Sequence, residues 1–427
     1  MPFISADRIR FLLQQLRKQL WLKPLIISLL SVSVAFLAKF AEGTELANWM
    51  PQVTFESVSR LLSVMSSSMM VIATLAVASM VSAYASASST ATPRAVKLVI
   101  ADDLSQNALS TFIGAFIFSI VALTAIENDF YQDAGLFTLL VLTVVVFAIV
   151  ILTFVRWVDR IARLGRVGTT IDSVEDIATQ ALSRRRGAPV LGGVPFTGET
   201  EKGNPLYCDE VGYVQHIDMA RLQQCAEDWQ IGIRLAVLPG TFVTPDRPLA
   251  CISGLDDKPD KQQQQQLCRA FMLGKSRTFE DDPRFALVVL AEIASRALSP
   301  AVNDPGTGID IIGRMVRLFV LWGKTENKPG SSEGNNQVAE IRYDRIEVPP
   351  ISVDDMFDDA FTPIARDGAT NVEVSIRLQK ALRALSKSED AATRKAAEKY
   401  AEQALERAEQ ALVYQQDITR VRNAMKD

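Results

Sequence analysis

Histidine is almost absent from this chain: His216 is the only one in 427 residues. It lies in a strand-like run just before Asp218, and no nucleophile elbow occurs in the sequence, which excludes a serine hydrolase built on an imidazole base. Cysteine is scarce too. Cys208, Cys225, Cys251 and Cys268 form no Cys-x-x-Cys pair, so no metal site is expected and the four read as buried free thiols. Nucleotide loops are missing as well: Gly274-Lys275-Ser276 has Arg269 where a phosphate loop needs glycine, and Gly306, Gly308 and Gly313 are wrongly spaced for a dinucleotide turn. A net charge of −4 argues against a nucleic-acid partner. No cofactor and no enzymatic activity are expected.

Charge is also missing from long stretches of the chain. Residues 61–93, 104–126 and 134–155 contain no Asp, Glu, Lys or Arg, and each reaches the roughly 20 residues that cross about 30 Å of hydrocarbon. A shorter run, 24–38, covers only about 22 Å at the helical rise and depends on Trp21, Lys23 and Lys39 to reach the interfaces. The flank before it reads as an amphipathic helix, and no small-residue cleavage pattern follows, so it is expected as an uncleaved anchor and not a signal peptide.

Basic residues collect before the first span (Arg8, Arg10, Arg17, Lys18, Lys23), between the second and third (Arg94, Lys97) and after the fourth (Arg156, Arg160, Arg163, Arg166). Acidic residues occupy the alternate loops. By the positive-inside bias both termini face the cytoplasm of a bacterium, and the chain is a multi-pass protein of its inner membrane. The fold class expected is an all-α membrane bundle of four transmembrane helices followed by a cytoplasmic α+β domain and a C-terminal helical region. Its divisions are a basic amphipathic helix over 1–23, the four-helix bundle over 24–155, a basic stalk helix and extended linker over 156–210, the α+β domain over 211–370, and helices over 371–427.

Within those divisions the Gly- and Pro-rich stretch 184–208 has no period and reads as an extended connection, and Trp157 stands where an interfacial anchor would. Strands are expected over 211–217, 231–238, 249–253 and 341–348, with helices over 219–229, 261–273, 283–298 and 306–322. Pro239-Gly240 turns the chain. Asn303 or Asp304 is the expected N-cap before Pro305.

The second apolar run is too long for a simple span and carries hydroxyls at helical spacing. Ser59, Ser63, Ser66, Ser67, Thr74, Ser82 and Ser86 are the candidate pore-lining residues. Hydroxyls so placed also permit close helix packing and bond their own preceding turn, and both readings stay open. No span has an ionisable residue near its middle, which disfavours a proton relay or voltage sensor. Arg94, Lys97, Asp102, Asp103 and Asn107 form a candidate coupling loop at the mouth of the bundle. Arg277, Asp281, Asp282, Arg296, Asn303 and Asp304 are candidates for a ligand or subunit contact, with packing or a subunit contact the default for the loop at 296–305.

Four segments carry a family resemblance: Ser88-Ser-Thr-Ala-Thr-Pro-Arg-Ala95 with Asp102-Asp-Leu-Ser-Gln-Asn107, Gly212-Tyr-Val-Gln215 with Ile217-Asp218, Pro239-Gly-Thr-Phe-Val243, and Arg296-Ala-Leu-Ser-Pro-Ala-Val-Asn-Asp-Pro305. Through them the chain resembles a bacterial family of predicted inner-membrane proteins catalogued as domain of unknown function 2254. The resemblance supports the topology and implies no activity, substrate or catalytic residue. The leading expectation is therefore a homo-oligomeric channel or passive transporter with a cytoplasmic regulatory domain, in contact with lipid and with its own copies. The alternative is a membrane-anchored scaffold or sensor of a small ligand.

Overall fold

The computed structural model describes residues 19, 21–39, 51, 53–95, 103–162, 166–196, 203–255, 258–324 and 341–426. Most of the expected N-terminal helix over 1–23 lies outside them. The chain divides into two compact units, Leu12–Thr170 and Ile171–Asp427 with Met1–Phe11.

The first unit is a helical bundle: α1 (Leu22–Leu37), α2 (Phe55–Thr90), α3 (Asp103–Glu127) and α4 (Asp133–Ile161). Three helices, Phe55–Ser89, Leu104–Glu127 and Asp133–Ile161, are long and apolar enough to cross a membrane. The fourth expected span, α1, has 16 residues and extends only about 24 Å, short of the ~30 Å hydrocarbon thickness.

α3 packs against each of the other three helices. It meets α1 at Gly114, where an added Cβ would collide with the Ile27 side chain. Tyr131 Oη donates to Ala35 O at 2.7 Å, and Lys39 Nζ to Phe130 O at 3.2 Å. α2 offers the bundle a stripe at three- and four-residue spacing: Val58, Leu62, Met65, Met69, Ala73 and Ala76, all buried. Trp157 is buried in the same core against Phe112 and Phe154, and is no interfacial anchor. Buried hydroxyls serve their own helices, as Ser110 Oγ donates to Gln106 O at 2.6 Å and Thr143 Oγ1 to Leu139 O at 2.7 Å.

The second unit takes in α5 (Val167–Gly187) from Ile171 onward. A mixed α/β region follows: β1 (Val194–Pro195), β2 (Asn204–Leu206), β3 (Gly212–Ile217), α6 (Met219–Asp228), β4 (Gly232–Leu235), β5 (Phe242–Val243), β6 (Ala250–Ser253), α7 (Lys261–Cys268) and β7 (Phe271–Gly274). Then come α8 (Pro283–Ala297), α9 (Pro305–Gly323), β8 (Ile346–Val348), α10 (Val353–Asp367), α11 (Val372–Leu385), α12 (Ala391–Ala411) and α13 (Gln415–Lys426).

One sheet has the order β1-β8-β4-β6-β2, with β8 parallel to both neighbours and the β4–β6 and β6–β2 pairs antiparallel; the other, β5-β3-β7, is antiparallel throughout. Ile233, Ile252 and Ile346 align across the first sheet and are fully buried with Leu222 of α6 and Leu267 of α7. Phe319, Phe357, Phe361 and Tyr400 form an aromatic cluster joining α9, α10 and α12. Helix starts are capped by side chains: Asp260 makes a capping box with Gln263, and Ser352, Asn371 and Asp390 each accept from a backbone N–H in the first turn.

Three expectations need correction. The stretch read as an extended linker supplies the end of α5 and strands β1 and β2, so the α/β region begins before residue 211. The helix expected over 261–273 stops at Cys268, and its second half is strand β7. Cys208 and Cys268 are joined in a disulfide, while Cys225 and Cys251 are free. The pairing spans 60 residues and arises only when the β2–β3 connection meets the end of α7.

Candidate functional site

Of the six residues expected at a ligand or subunit contact, the fold gathers three. Strand β3 carries a register shift between Val214 and His216, a bulge that sets Gln215 Nε2 on Ser276 O at 2.8 Å and His216 Nδ1 on Asp281 Oδ2 at 2.6 Å. This fixes the β7–α8 connection, from which Arg277 grips Asp282 through Nε at 2.6 Å and Nη2 at 2.9 Å. Asp282 is 2 % exposed and also accepts from the backbone N–H groups of Arg284 and Phe285, capping α8. Burial pushes its carboxyl up, and Arg277 with the helix N–H groups opposes that rise.

The other three sit elsewhere. Arg296 lies at the far end of α8, about 20 Å along the helix from its start, and is exposed. Asp304 caps α9 by accepting from Thr307 N at 3.1 Å and Thr307 Oγ1 at 2.6 Å, while Asn303 takes a positive φ of 50° in the turn before it.

Arg277 also lines a cavity of about 350 Å³, with Asp281, Pro283 and Arg284 of the same segment. Its roof is the turn Pro239-Gly240-Thr241, held by Gly240 N to Val214 O at 2.8 Å and Leu238 N to Thr241 Oγ1 at 3.2 Å. Its floor is Pro349, Pro350, Ile351 and Ser352, leading into α10. Arg284 reaches Asp359 Oδ2 at 2.7 Å and Asp355 Oδ2 at 2.6 Å; burial works against its charge, but these carboxylates raise its pKa.

Arg185, from the last turn of α5, completes the lining and is 5 % exposed. Burial pulls its guanidinium down to about 10, against the pull of Asp281. Reading the sequence missed Arg185, because a linker was expected there. The run Arg184-Arg185-Arg186 was the available signal.

A larger hollow of about 760 Å³ lies beside the Cys208–Cys268 disulfide. Its charged residues, Asp209, Glu210, Lys261 and Arg269, are all exposed and so already solvated. The smaller cavity is the stronger candidate because a buried arginine, Arg185, stands in its lining beside the half-buried Arg277, Asp281 and Arg284.

The candidate pore-lining residues are not gathered on the packed face of α2. Ser63, Ser67, Thr74 and Ser82 are exposed, and Ser59, Ser66 and Ser86 are half-buried. Ser67 Oγ donates to Ser63 O at 3.0 Å and Thr74 Oγ1 to Met70 O at 2.9 Å, each within its own helix. In the coupling loop, Lys97, Asp102 and the side chain of Asp103 lie outside the described residues, while Arg94 and Asn107 are exposed. Among the described residues, no three of His, Cys, Asp and Glu are grouped to hold a metal ion.

Residues 17–384 match the model of a family described as "Predicted membrane protein (DUF2254)". The chain belongs to that family. The match takes in the apolar helices and every residue of the cavity, from Arg185 to Asp355, so this DUF2254 chain is a multi-pass membrane protein whose cavity lies within the family's span. Two similar proteins, each described as uncharacterized, come from Mycobacterium bovis and Mycobacterium tuberculosis. Each is 32 % identical over 111 residues, which cover 25 % of this chain and 21 % of the relative's length. No solved structure matches this DUF2254 chain.

Proposed function

We propose that this DUF2254 protein is a membrane-anchored sensor, a binding protein and not an enzyme, whose C-terminal unit takes up a small ligand in the cavity between the Pro239-Gly240 turn and α10. The basic flanks of the spans support a cytoplasmic position for this unit. One observation carries the reading: Arg185 is 95 % buried, yet it lines a cavity large enough for a small molecule. Buried charges are expensive, and a guanidinium held against a ligand-sized space is better explained by binding than by packing.

The test uses the full chain in lipid nanodiscs, melted in the presence of fractionated bacterial small molecules. At least one fraction should raise the midpoint of the wild type, and Ile351→Trp, which fills the floor, should lose that response while keeping its own cooperative melt. If every fraction leaves the wild type unmoved, the sensor reading fails.

The second reading, a homo-oligomeric channel or passive transporter, is favoured by the outward position of Ser63, Ser67, Thr74 and Ser82 on α2. It has less support because Val64, Val71, Leu75 and Val81 are exposed on the same helix, a mixture suited to lipid or to another helix. Solute flux through vesicles that is reduced by Ser63→Leu or Ser67→Leu would bring this reading forward.

A further inference from the structure

The Cys208–Cys268 disulfide joins two walls of the hollow of about 760 Å³: residues 207–210 on one side, α7 and β7 on the other. Cys208 is 9 % exposed, whereas Cys268, just inside the end of α7, is half-buried. Cys268 is therefore the more open of the two to a molecule in the hollow.

Both walls are also held without the bond. Leu206, two residues before Cys208, is buried and pairs with Ala250 across β2 and β6, and Leu267, next to Cys268, is fully buried. Gln264 Nε2 donates to Tyr207 O at 2.7 Å, a second tie between the walls. Cys268 Sγ lies 3.4 Å from the same carbonyl, which can accept from a thiol once the disulfide opens. Cys268 thus has a partner in either state, Cys208 when oxidised and Tyr207 O when reduced.

The hollow carries both signs of charge. Lys261 opens α7 and Arg269 caps it, while Asp209 and Glu210 follow Cys208, and all four are exposed. Exposed charges give little affinity, but they gather a small molecule that carries carboxylate and ammonium groups of its own. A mixed disulfide would then hold what the charges only gather.

The basic flanks of the spans favour a cytoplasmic position for this unit, where the surroundings are reducing and disulfides are characteristically transient or redox-sensing. Resting on that position and not on uptake into the smaller cavity, we infer that Cys268 is the entry point of a thiol–disulfide exchange site for a small amino-acid or peptide thiol seated in the hollow. The incoming thiolate attacks Cys268 Sγ: a bond forms between these two sulfurs, the Cys268–Cys208 bond breaks, and its electron pair leaves on Cys208 Sγ, which takes a proton from water. A second thiolate attacks the sulfur of the bound thiol and frees the Cys268 thiolate, which is protonated in turn. Two small thiols are oxidised to their disulfide, and the protein's disulfide is reduced to two thiols.

The full chain in lipid nanodiscs is equilibrated with glutathione buffers of stepped reduced-to-oxidised ratio. Half of each sample is acid-quenched, unfolded and alkylated to count thiols by peptide mass; the other half is alkylated while folded. In the reducing buffers the unfolded half should gain two alkylated cysteines, Cys208 and Cys268, while in the folded half the buried Cys225 stays unlabelled. Cys208→Ser, which lacks the sulfur that would expel the bound thiol, should retain glutathione on Cys268 in the oxidised buffers, and Cys268→Ser should retain about tenfold less on Cys208. Lys261→Glu combined with Arg269→Glu should slow reduction by glutathione more than reduction by 2-mercaptoethanol, whose only charge is on the thiolate.

The inference is overturned if the pair stays oxidised in every buffer or forms in none. It is also overturned if the pair opens only as Cys225 becomes reactive, since reduction would then follow unfolding, or if glutathione settles on Cys208. Equal slowing of the two reductants would overturn the choice of a charged thiol. Each of these outcomes leaves the sensor reading in place, because that reading is decided by the melting response of the smaller cavity.

Discussion

Gly240 lies against the carboxylate of Asp282 so closely that a Cβ on the glycine would overlap the carboxylate group. Its φ of +92° is a conformation that side-chain-bearing residues rarely adopt, so two independent constraints require glycine here. The turn roofing the cavity is therefore seated directly on the buried acid that caps α8. Gly240→Ala should cost at least about 2 kcal/mol of stability in a denaturant titration, combining backbone strain with displacement of Asp282. A midpoint equal to wild type would show that the roof is free to move.

Asp282 has two duties that one substitution separates. Asn at that position still accepts hydrogen bonds at the start of α8, but it cannot neutralise Arg277. Removing one member of a buried pair leaves the other charge uncompensated, so Asp282→Asn should lose about 3–5 kcal/mol. Arg277→Met combined with Asp282→Asn should recover part of that loss, and an additive double variant would contradict the pairing.

Glu175 ties α5 to α9 by accepting from Arg317 Nε at 2.7 Å and Nη2 at 2.9 Å, and from Arg314 Nη1 at 2.7 Å. The hydrogen bond from Arg317, with the charges of both arginines, holds its carboxyl below the ordinary glutamate range despite burial. A pKa depressed in the folded state means that the unfolded chain binds the proton more readily. Stability from this group is complete above the unfolded value, about 4.3, and is lost as pH falls through the lower folded value. Glu175→Gln should lose roughly 1–3 kcal/mol at neutral pH and show a shallower acid decline than wild type in melts from about pH 6 downward.

The apolar helices were legible because each long run lacks charge entirely, a signal that survives without any tertiary context. The cavity was only half legible. Arg277, Asp281 and Asp282 stood out as a charged cluster, but His216 is 65 residues from Asp281, and the pairing depends on a bulge in β3 that has no sequence signature. Strands β1 and β2 have two and three residues, too few to show an alternating pattern, so glycine and proline alone were read there and Arg185 was lost with them. Helix α10 was concealed by Asp354, Asp355, Asp358, Asp359 and an internal Pro363, although Met356, Phe357, Ala360, Phe361 and Ile364 bury a regular stripe.

The disulfide makes a prediction that the expectation of four free thiols does not. Protein purified without reductant and unfolded should present two thiols to an alkylating reagent, on Cys225 and Cys251, and four only after reduction. Closing a chain segment of 60 residues is worth roughly 4 kcal/mol in the loop-entropy picture, so reductant should lower the unfolding midpoint of the C-terminal unit. Four alkylated cysteines in freshly prepared, unreduced protein would remove the link.

Gly114 tests how the shortest helix of the bundle is held. In lipid no hydrophobic force separates helix–helix from helix–lipid contact, so α1 depends on close packing and on the few bonds that it makes. An added Cβ on Gly114 would collide with Ile27 and come within 3.0 Å of Ser31 Oγ. The atom it meets, Ile27 Cγ2 at 2.5 Å, is the branch methyl of a side chain that is stiff in a helix, so even alanine requires a shift between α1 and α3. Valine adds two methyl groups at the same crossing and should push α1 further away, weakening its hold to contacts such as the Tyr131–Ala35 and Lys39–Phe130 bonds and the Phe36–Phe130 ring pair. In mild detergent, Gly114→Ala should melt below wild type and Gly114→Val lower still, with protease sensitivity between α1 and α2. If both variants melt like wild type, close packing at Gly114 does not hold the helix.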